Sequence, residues 1–179
     1  MKKFWPLLIL LISSLFIISC DDKNNDDYVD HDTISTVYDY KGVNFTYNDE
    51  DGWNFYRTFP SGVMYNSDVV LIYLQTDTNT NGSPIWTPIP AKFNPTVNNV
   101  KQEVYYDFDF SVNDFKIYVR GTYDLAATPN FINNQTFRVV LVPGGFGNKN
   151  ANAADLRKMS YEDVIKKYNI NDSNVTTLK

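Results

Sequence analysis

The chain has 179 residues and a formal net charge of −5, from 16 Lys and Arg against 21 Asp and Glu. An acidic chain lacks the cation excess that neutralising a phosphate backbone needs, so nucleic acid is excluded as a partner. One cysteine and one histidine leave no material for a disulfide framework, a His/Cys zinc site or the usual Ser–His and Cys–His catalytic pairs.

The first predicted element, residues 1–19, is a targeting segment. Met1-Lys2-Lys3 is a short positive start, and Leu7-Leu8-Ile9-Leu10-Leu11-Ile12 opens an apolar run that ends at Ile18. A secretory signal has this layout, and its apolar run is shorter than a transmembrane helix needs; an uncleaved anchor helix is the other reading of the same residues. Residues 20–35 form an acidic tether behind Cys20: Asp21-Asp22-Lys23-Asn24-Asn25-Asp26-Asp27, then Asp30, His31 and Asp32. So charged a stretch has almost nothing to pack and stays solvated, His31 with it. A coil of about 15 residues spans roughly 20 Å.

Residues 36–179 read as one domain. Short apolar and aromatic runs separated by Asn, Asp, Gly and Pro predict strands at 36–47, 53–59, 68–76, 85–93, 103–110, 115–123 and 136–142. Seven such strands suggest an antiparallel β-sandwich. Asp68-Val69-Val70-Leu71-Ile72-Tyr73-Leu74 is apolar on both faces and belongs in a sheet centre, as does Phe137-Arg138-Val139-Val140-Leu141-Val142 apart from Arg138. Pro84-Ile85-Trp86-Thr87-Pro88-Ile89-Pro90 belongs at an edge, because Pro88 and Pro90 have no N–H to give to a neighbour.

The strongest local expectation is a hairpin. Val104, Tyr106, Phe108 and Phe110 alternate with Glu103, Tyr105, Asp107 and Asp109, and Phe115, Ile117 and Val119 alternate with Lys116, Tyr118 and Arg120. Closing the pair through Ser111–Asp114 sets Phe110 opposite Phe115, Phe108 opposite Ile117, Asp109 opposite Lys116 and Tyr105 opposite Arg120. Near the end of the chain, Ser160 reads as an N-cap with Glu162 and Asp163 in the first turn. Val164, Ile165 and Tyr168 form an apolar stripe, and Lys166 and Lys167 suit the helix C-terminus. A further short helix is expected near 153–159.

Two resemblances follow from these residues. Phe16-Ile17-Ile18-Ser19-Cys20 resembles the lipobox of bacterial lipoproteins. In that family the Cys thiol receives diacylglycerol, the signal is cut before it and the new amine is acylated. The resemblance implies a lipid anchor at Cys20 in the outer membrane of a cell envelope, and two or more acyl chains make such an anchor effectively permanent. The acid cluster behind Cys20 resembles the surface-export signals of Bacteroidota lipoproteins; a plain acidic spacer facing the periplasm is the alternative, and both stay open. Ser67–Tyr73, Trp86-x-Pro-x-Pro and Phe137–Gly144 together resemble uncharacterised flavobacterial lipoproteins. These blocks are strand-rich and carry no catalytic motif, so they imply lineage and fold without an activity.

Four patterns bear on chemistry. Asp77-Thr78-Asn79-Thr80-Asn81-Gly82 carries the first half of a calcium loop, with oxygen ligands at alternate positions (Asp77, Asn79, Asn81) and a Gly at the turn. The twelfth position is Pro88 rather than Glu, so a polar connection between strands is the competing reading and no cofactor is expected. Asn48–Gly52 reads as a hairpin turn. Gly145-Phe146-Gly147-Asn148-Lys149-Asn150 lacks the third glycine of a dinucleotide fingerprint and reads as a loop. Asp107 and Asp109, with Glu103, share a strand face at a spacing that paired-carboxylate glycoside hydrolysis could use, which makes a small carboxylate-dependent hydrolase the alternative function. Trp53 and Trp86 are the candidate ligand-binding aromatics, since sugars stack on exposed rings; filling the core is the competing role. The expectation is a lipid-anchored, mainly β envelope protein without catalysis, binding a glycan or an envelope protein or serving a structural role.

Overall fold

Alternating apolar and polar side chains build two five-stranded sheets that pack face to face, with a C-terminal helix on the far side of one of them. The computed structural model describes residues 35–144 and 153–178. The targeting segment, Cys20, the tether with His31, and the Gly145–Asn150 loop lie outside the described residues. The strands are β1 (Thr36–Val43), β2 (Thr46–Asn48), β3 (Gly52–Thr58), β4 (Val69–Thr78), β5 (Pro84–Ile89), β6 (Ala91–Phe93), β7 (Thr96–Val97), β8 (Val100–Lys101), β9 (Val104–Phe110), β10 (Asp114–Gly121), β11 (Gln135–Val142) and β12 (Thr176–Leu178). The helices are α1 (Ala153–Leu156) and α2 (Tyr161–Tyr168). The first sheet runs β12-β1-β11-β4-β5 and the second β2-β3-β10-β9-β6, while β7 and β8 form a separate ribbon. All neighbours are antiparallel except β12, which joins β1 in parallel.

The fold is the mainly β sandwich with a short C-terminal helix that the pattern predicts, and all seven expected strands are present. Two of them turn a corner. The run 36–47 divides at Asn44-Phe45 into β1 of the first sheet and β2 of the second, where Phe45 N–H donates to the Ile132 carbonyl at 2.8 Å and the ring enters the core. The run 85–93 divides at Pro90 into β5 and β6, which are the outer strands of opposite sheets. The apolar pattern continues through both corners because both halves face the same interior. The proline-rich run is therefore an edge twice over.

Between the sheets lie Tyr38, Tyr40, Ile72, Leu74, Phe137, Val139 and Leu141 from the first and Phe55, Val104, Tyr106, Phe115, Ile117 and Val119 from the second. The other face of the first sheet carries Val37, Leu71, Tyr73, Trp86, Val140 and Val142 against Tyr161, Val164, Tyr168 and Ile170. This explains why β4 and β11 are apolar on both faces: the first sheet is the middle of three layers. Helix α2 forms as its sequence indicates. Ser160 Oγ accepts from Asp163 N–H at 3.1 Å, and the helix ends at Asn169 in the left-handed region, where Ile170 N–H donates to the Ile165 carbonyl. Of the expected stripe, Val164 and Tyr168 are buried and Ile165 only partly, while Tyr161 at the first turn is buried with them.

The β9–β10 register matches the expected one at every pair: Phe110 with Phe115, Phe108 with Ile117, Asp109 with Lys116 and Tyr105 with Arg120. Burial is less complete than the pattern implies. Phe108 and Phe110 are half-buried, because β6 covers β9 only from Val104 to Tyr106, and Arg157 lies over both rings at 5.6 and 5.8 Å.

Candidate functional site

The second sheet has no layer on its outer face among the described residues, and β-strand alternation decides what it shows to solvent. Register places Tyr56, Lys116 and Asp109 side by side across β3, β10 and β9, then Asn54, Tyr118 and Asp107 in the next row. A third row has Arg120, Tyr105 and Lys92 across β10, β9 and β6. Tyr56, Tyr118 and Tyr105 thus occupy successive diagonal positions, within reach of one another's rings. Tyr56 is 46% exposed and Tyr105 38%.

Each tyrosine is held by an acid. Tyr56 Oη donates to Asp114 at 3.0 Å, Tyr118 Oη to Asp109 at 2.6 Å and Tyr105 Oη to Glu103, which also takes Lys92. Burial first, then the Asp109 hydrogen bond, pushes the Tyr118 hydroxyl up to about 12. These bonds fix the phenol rings in place. The expected pair of Asp109 with Lys116 is replaced by another. Lys116 Nζ instead reaches Asp51 in the β2–β3 turn at 2.7 Å, since that turn leans over the sheet and leaves Asp109 to Tyr118. This hydrogen bond raises the Lys116 pKa and lowers that of Asp51. Arg120 stacks on Tyr118 at 4.9 Å and Lys92 on Tyr105 at 5.6 Å. Beside Tyr105, Pro90, Lys92, Asp107 and Arg120 frame a shallow depression of about 400 Å³.

The two tryptophans are not brought together. Trp53 faces the inner side of β3, half-buried, and meets Tyr47 edge to face at 5.5 Å. Trp86 is buried beneath α2, where Arg138 stacks on it at 4.5 Å and Tyr161 lies 6.0 Å away. Among the described residues the exposed large aromatic rings are the tyrosines Tyr47, Tyr56, Tyr65 and Tyr105. Alternation puts Tyr105 and Tyr118 on the polar face of the hairpin with Asp107 and Asp109, and Tyr56 joins them through the β3–β10 register.

The Asp77 loop is a tight β4–β5 connection. Asn79 Oδ1 accepts from the N–H groups of Asn81 and Ser83 at 3.0 and 2.9 Å, and Asp77 Oδ1 accepts from Thr78 N–H at 2.7 Å. The Asn79 oxygen is thus committed to the turn. Among the described residues no group of three or more His, Cys, Asp and Glu side chains is placed to hold a metal. Asn48–Gly52 is the expected hairpin turn, with Asn48 Oδ1 accepting from Glu50 and Asp51 N–H and Gly52 at φ +72. Asp107 and Asp109 share the open face, but Asp107 accepts from its neighbour Phe108 N–H and Asp109 holds Tyr118.

A polar cluster that the strand pattern signals only by one charged residue lies beneath α2. Arg138 meets Asp39, its direct partner across β11 and β1, through two parallel bonds of 2.7 and 2.9 Å, and its Nη1 donates to Tyr161 Oη at 2.8 Å. The guanidinium lies against two adjoining rings, 4.5 Å from Trp86 and 4.9 Å from Tyr161, and Tyr161 Oη donates to Asp172 at 2.6 Å. Burial works most strongly against the charged guanidinium, yet the hydrogen bonds and charges of Asp39 and Tyr161 together outweigh it, and its pKa ends above the ordinary arginine value. This cluster fastens helix to sheet. Among the described residues no helix is long and apolar enough to cross a membrane. Comparison with protein-family models, curated proteins and solved structures finds no match to this chain.

Proposed function

We propose that this chain is a lipid-anchored lipoprotein of the outer membrane, anchored through Cys20, that binds a saccharide without catalysis on the outer face of its second sheet. One observation carries the binding half of this reading: among the described residues the sandwich is covered on one side only. The apolar face of the first sheet is occupied by α2, whereas the second presents Tyr56, Tyr118 and Tyr105 in a diagonal row among Asp107, Lys92 and Arg120. Rings supply flat apolar contact at low entropic cost, and the carboxylate, ammonium and guanidinium groups beside them suit hydroxyl-rich partners. The anchor half rests on the lipobox-like ending and on the acidic tether, which gives the domain reach from lipid headgroups.

A panel of immobilised polysaccharides presented to the full chain tests the binding. Tyr118→Ala and Tyr105→Ala are expected to lose capture of whichever polysaccharide the wild type retains, with the fold intact by circular dichroism. Retention of full binding by both variants would sink the proposal. Cys20→Ala is expected to abolish acylation and signal removal; normal processing of that variant would refute the anchor.

A further inference from the structure

At the open side of the sandwich, where β1 ends and the chain crosses to β2, the sheets part around a cleft of about 650 Å³. Its walls include Lys41 and Asn44 from the crossing, Leu178 from β12, and Asn54, Tyr56 and Arg57 from β3. The cleft contrasts with the rest of this acidic chain: two cations line it, and no carboxylate does so among the described residues.

Arg57 is oddly placed. Register puts it opposite Phe115 on the inner side of β3, where a surface arginine has no business unless the margin is open. Its guanidinium lies 4.3 Å over the Phe55 ring, and Nη1 donates to its neighbour's carbonyl, Tyr56 O, at 2.8 Å. Stacking and that bond fix the guanidinium plane, while Nε and Nη2 have no partner among the described residues. Neither Arg57 nor Lys41 forms an ion pair there, in contrast to Lys92, Lys116 and Arg138. An oriented guanidinium with two free parallel N–H groups is the natural receptor for a carboxylate, and an exposed lysine beside it adds long-range attraction. The cleft also shares Asn54 and Tyr56 with the tyrosine face, so one ligand can occupy both.

We infer that this cleft receives the carboxylate of an acidic saccharide, a uronic-acid unit, whose remaining rings lie along Tyr56, Tyr118 and Tyr105. This rests on the saccharide-binding reading above and narrows it to anionic glycans.

The test uses the full chain in mild detergent and oligomers of galacturonate, mannuronate and glucuronate, each beside its methyl ester, by isothermal titration calorimetry. At least one acid is expected to bind about tenfold or more tightly than its ester, about 1.4 kcal/mol. The preference should shrink as salt is raised. Arg57→Gln is expected to erase the preference, bringing acid binding down to the level of the ester. Lys41→Gln, at an exposed position, should reduce it in the same direction and covers the case in which Arg57→Gln fails to fold. Equal binding of acid and ester, no binding of any oligomer, or an unchanged preference in both variants overturns the inference. If Tyr118→Ala weakens acid and ester alike while the cation variants change nothing, the cleft falls and the tyrosine face stands. If the cation variants lose the acid while Tyr118→Ala has no effect, the carboxylate site stands and the tyrosine face falls.

Discussion

The charge pair beneath α2 lends itself to a quantitative test. Arg138 and Asp39 have side chains only 11% and 6% exposed and meet through two hydrogen bonds. Asp39→Leu leaves a buried guanidinium with Tyr161 and with Asp172, 3.8 Å away. Because those two partners remain, the expected loss is about 3 kcal/mol, the low end for a buried pair broken on one side. Arg138→Met is expected to lose about 4–5 kcal/mol. Asp39 has no other hydrogen-bond partner among the described residues, and the stacking on Trp86 and Tyr161 disappears as well. The double variant places two apolar side chains of similar bulk opposite each other on an apolar face, so its loss should be only about 0–2 kcal/mol. That is a coupling of at least ~5 kcal/mol, far beyond the few tenths expected of independent sites. Urea denaturation of the wild type and the three variants, prepared as residues 21–179 and followed by tryptophan fluorescence, measures it directly. Trp86 lies against the guanidinium and reports on the same cluster. Single variants within about 1 kcal/mol of wild type, or a double variant that loses as much as both singles together, would refute a buried pair acting as a unit.

Three other outcomes are expected. Phe108→Ala should cost about half of the 3–5 kcal/mol of a fully buried phenylalanine, since its ring is half-buried, and Asp109→Ala about 1 kcal/mol or less; a larger loss for Asp109 in urea denaturation would mean the exposed face is not exposed. Gly144→Ala should destabilise by about 3 kcal/mol or more, because a β-carbon there would lie 2.0 Å from the Ser67 carbonyl oxygen and must displace backbone; an unchanged melting temperature would place Gly144 elsewhere. Burial pushes Tyr40 up to about 12 from 10.0, and Tyr73, Tyr106 and Tyr161 higher still, so the folded chain keeps protons that the unfolded chain releases. Stability should be complete below pH 10.0 and fall as pH rises through the folded values, with tyrosinate absorbance appearing together with unfolding; titration of these tyrosines near 10.0 in the folded state would contradict their burial.

What could be seen in the sequence was whatever strand periodicity controls. The β9–β10 register was legible because two faces constrain it independently, and a slip by one residue would have buried Asp107 and Asp109. The layer order was legible in part: Asp68–Leu74 announced a central strand, but its second apolar face did not say that a helix would cover it. The corners at Asn44-Phe45 and Pro90 were hidden because an inward side chain stays inward when a strand changes sheets. The two-residue ribbon β7–β8 and the parallel edge β12 are too short to show a period. At the site, large aromatic area pointed to Trp53 and Trp86, yet size favours burial as much as binding, and both rings pack inward or beneath the helix. The tyrosine row became visible only once three strands were in register. Arg57 sits at an inward position of a strand that otherwise reads as ordinary, so its meaning depends on the gap between the sheets.

The contrast between the two outer faces also limits what a partner can be. On the first sheet the outward positions of β4 and β11 are Leu71, Tyr73, Val140 and Val142, with Arg138 fully paired, and such a face demands a cover from its own chain. On the second, the outward positions of β10 and β9 are Lys116, Tyr118, Arg120, Asp107 and Asp109. An apolar helix or a second apolar sheet laid there would strip water from these charges without replacing it, at several kcal/mol for each ion left unpaired. A hydroxyl-rich ligand avoids that loss, because it can offer donors and acceptors to the charged groups while its apolar ring faces rest on the fixed phenols. The tyrosine hydroxyls are already tied to Asp114, Asp109 and Glu103, so the rings do not have to be ordered when a ligand arrives. Preorganisation of that kind adds little to folding stability on a solvated face. Its physical consequence is a lower entropic penalty for binding, and this is why the uncovered face, rather than the tryptophans or the buried arginine cluster, is where recognition is expected.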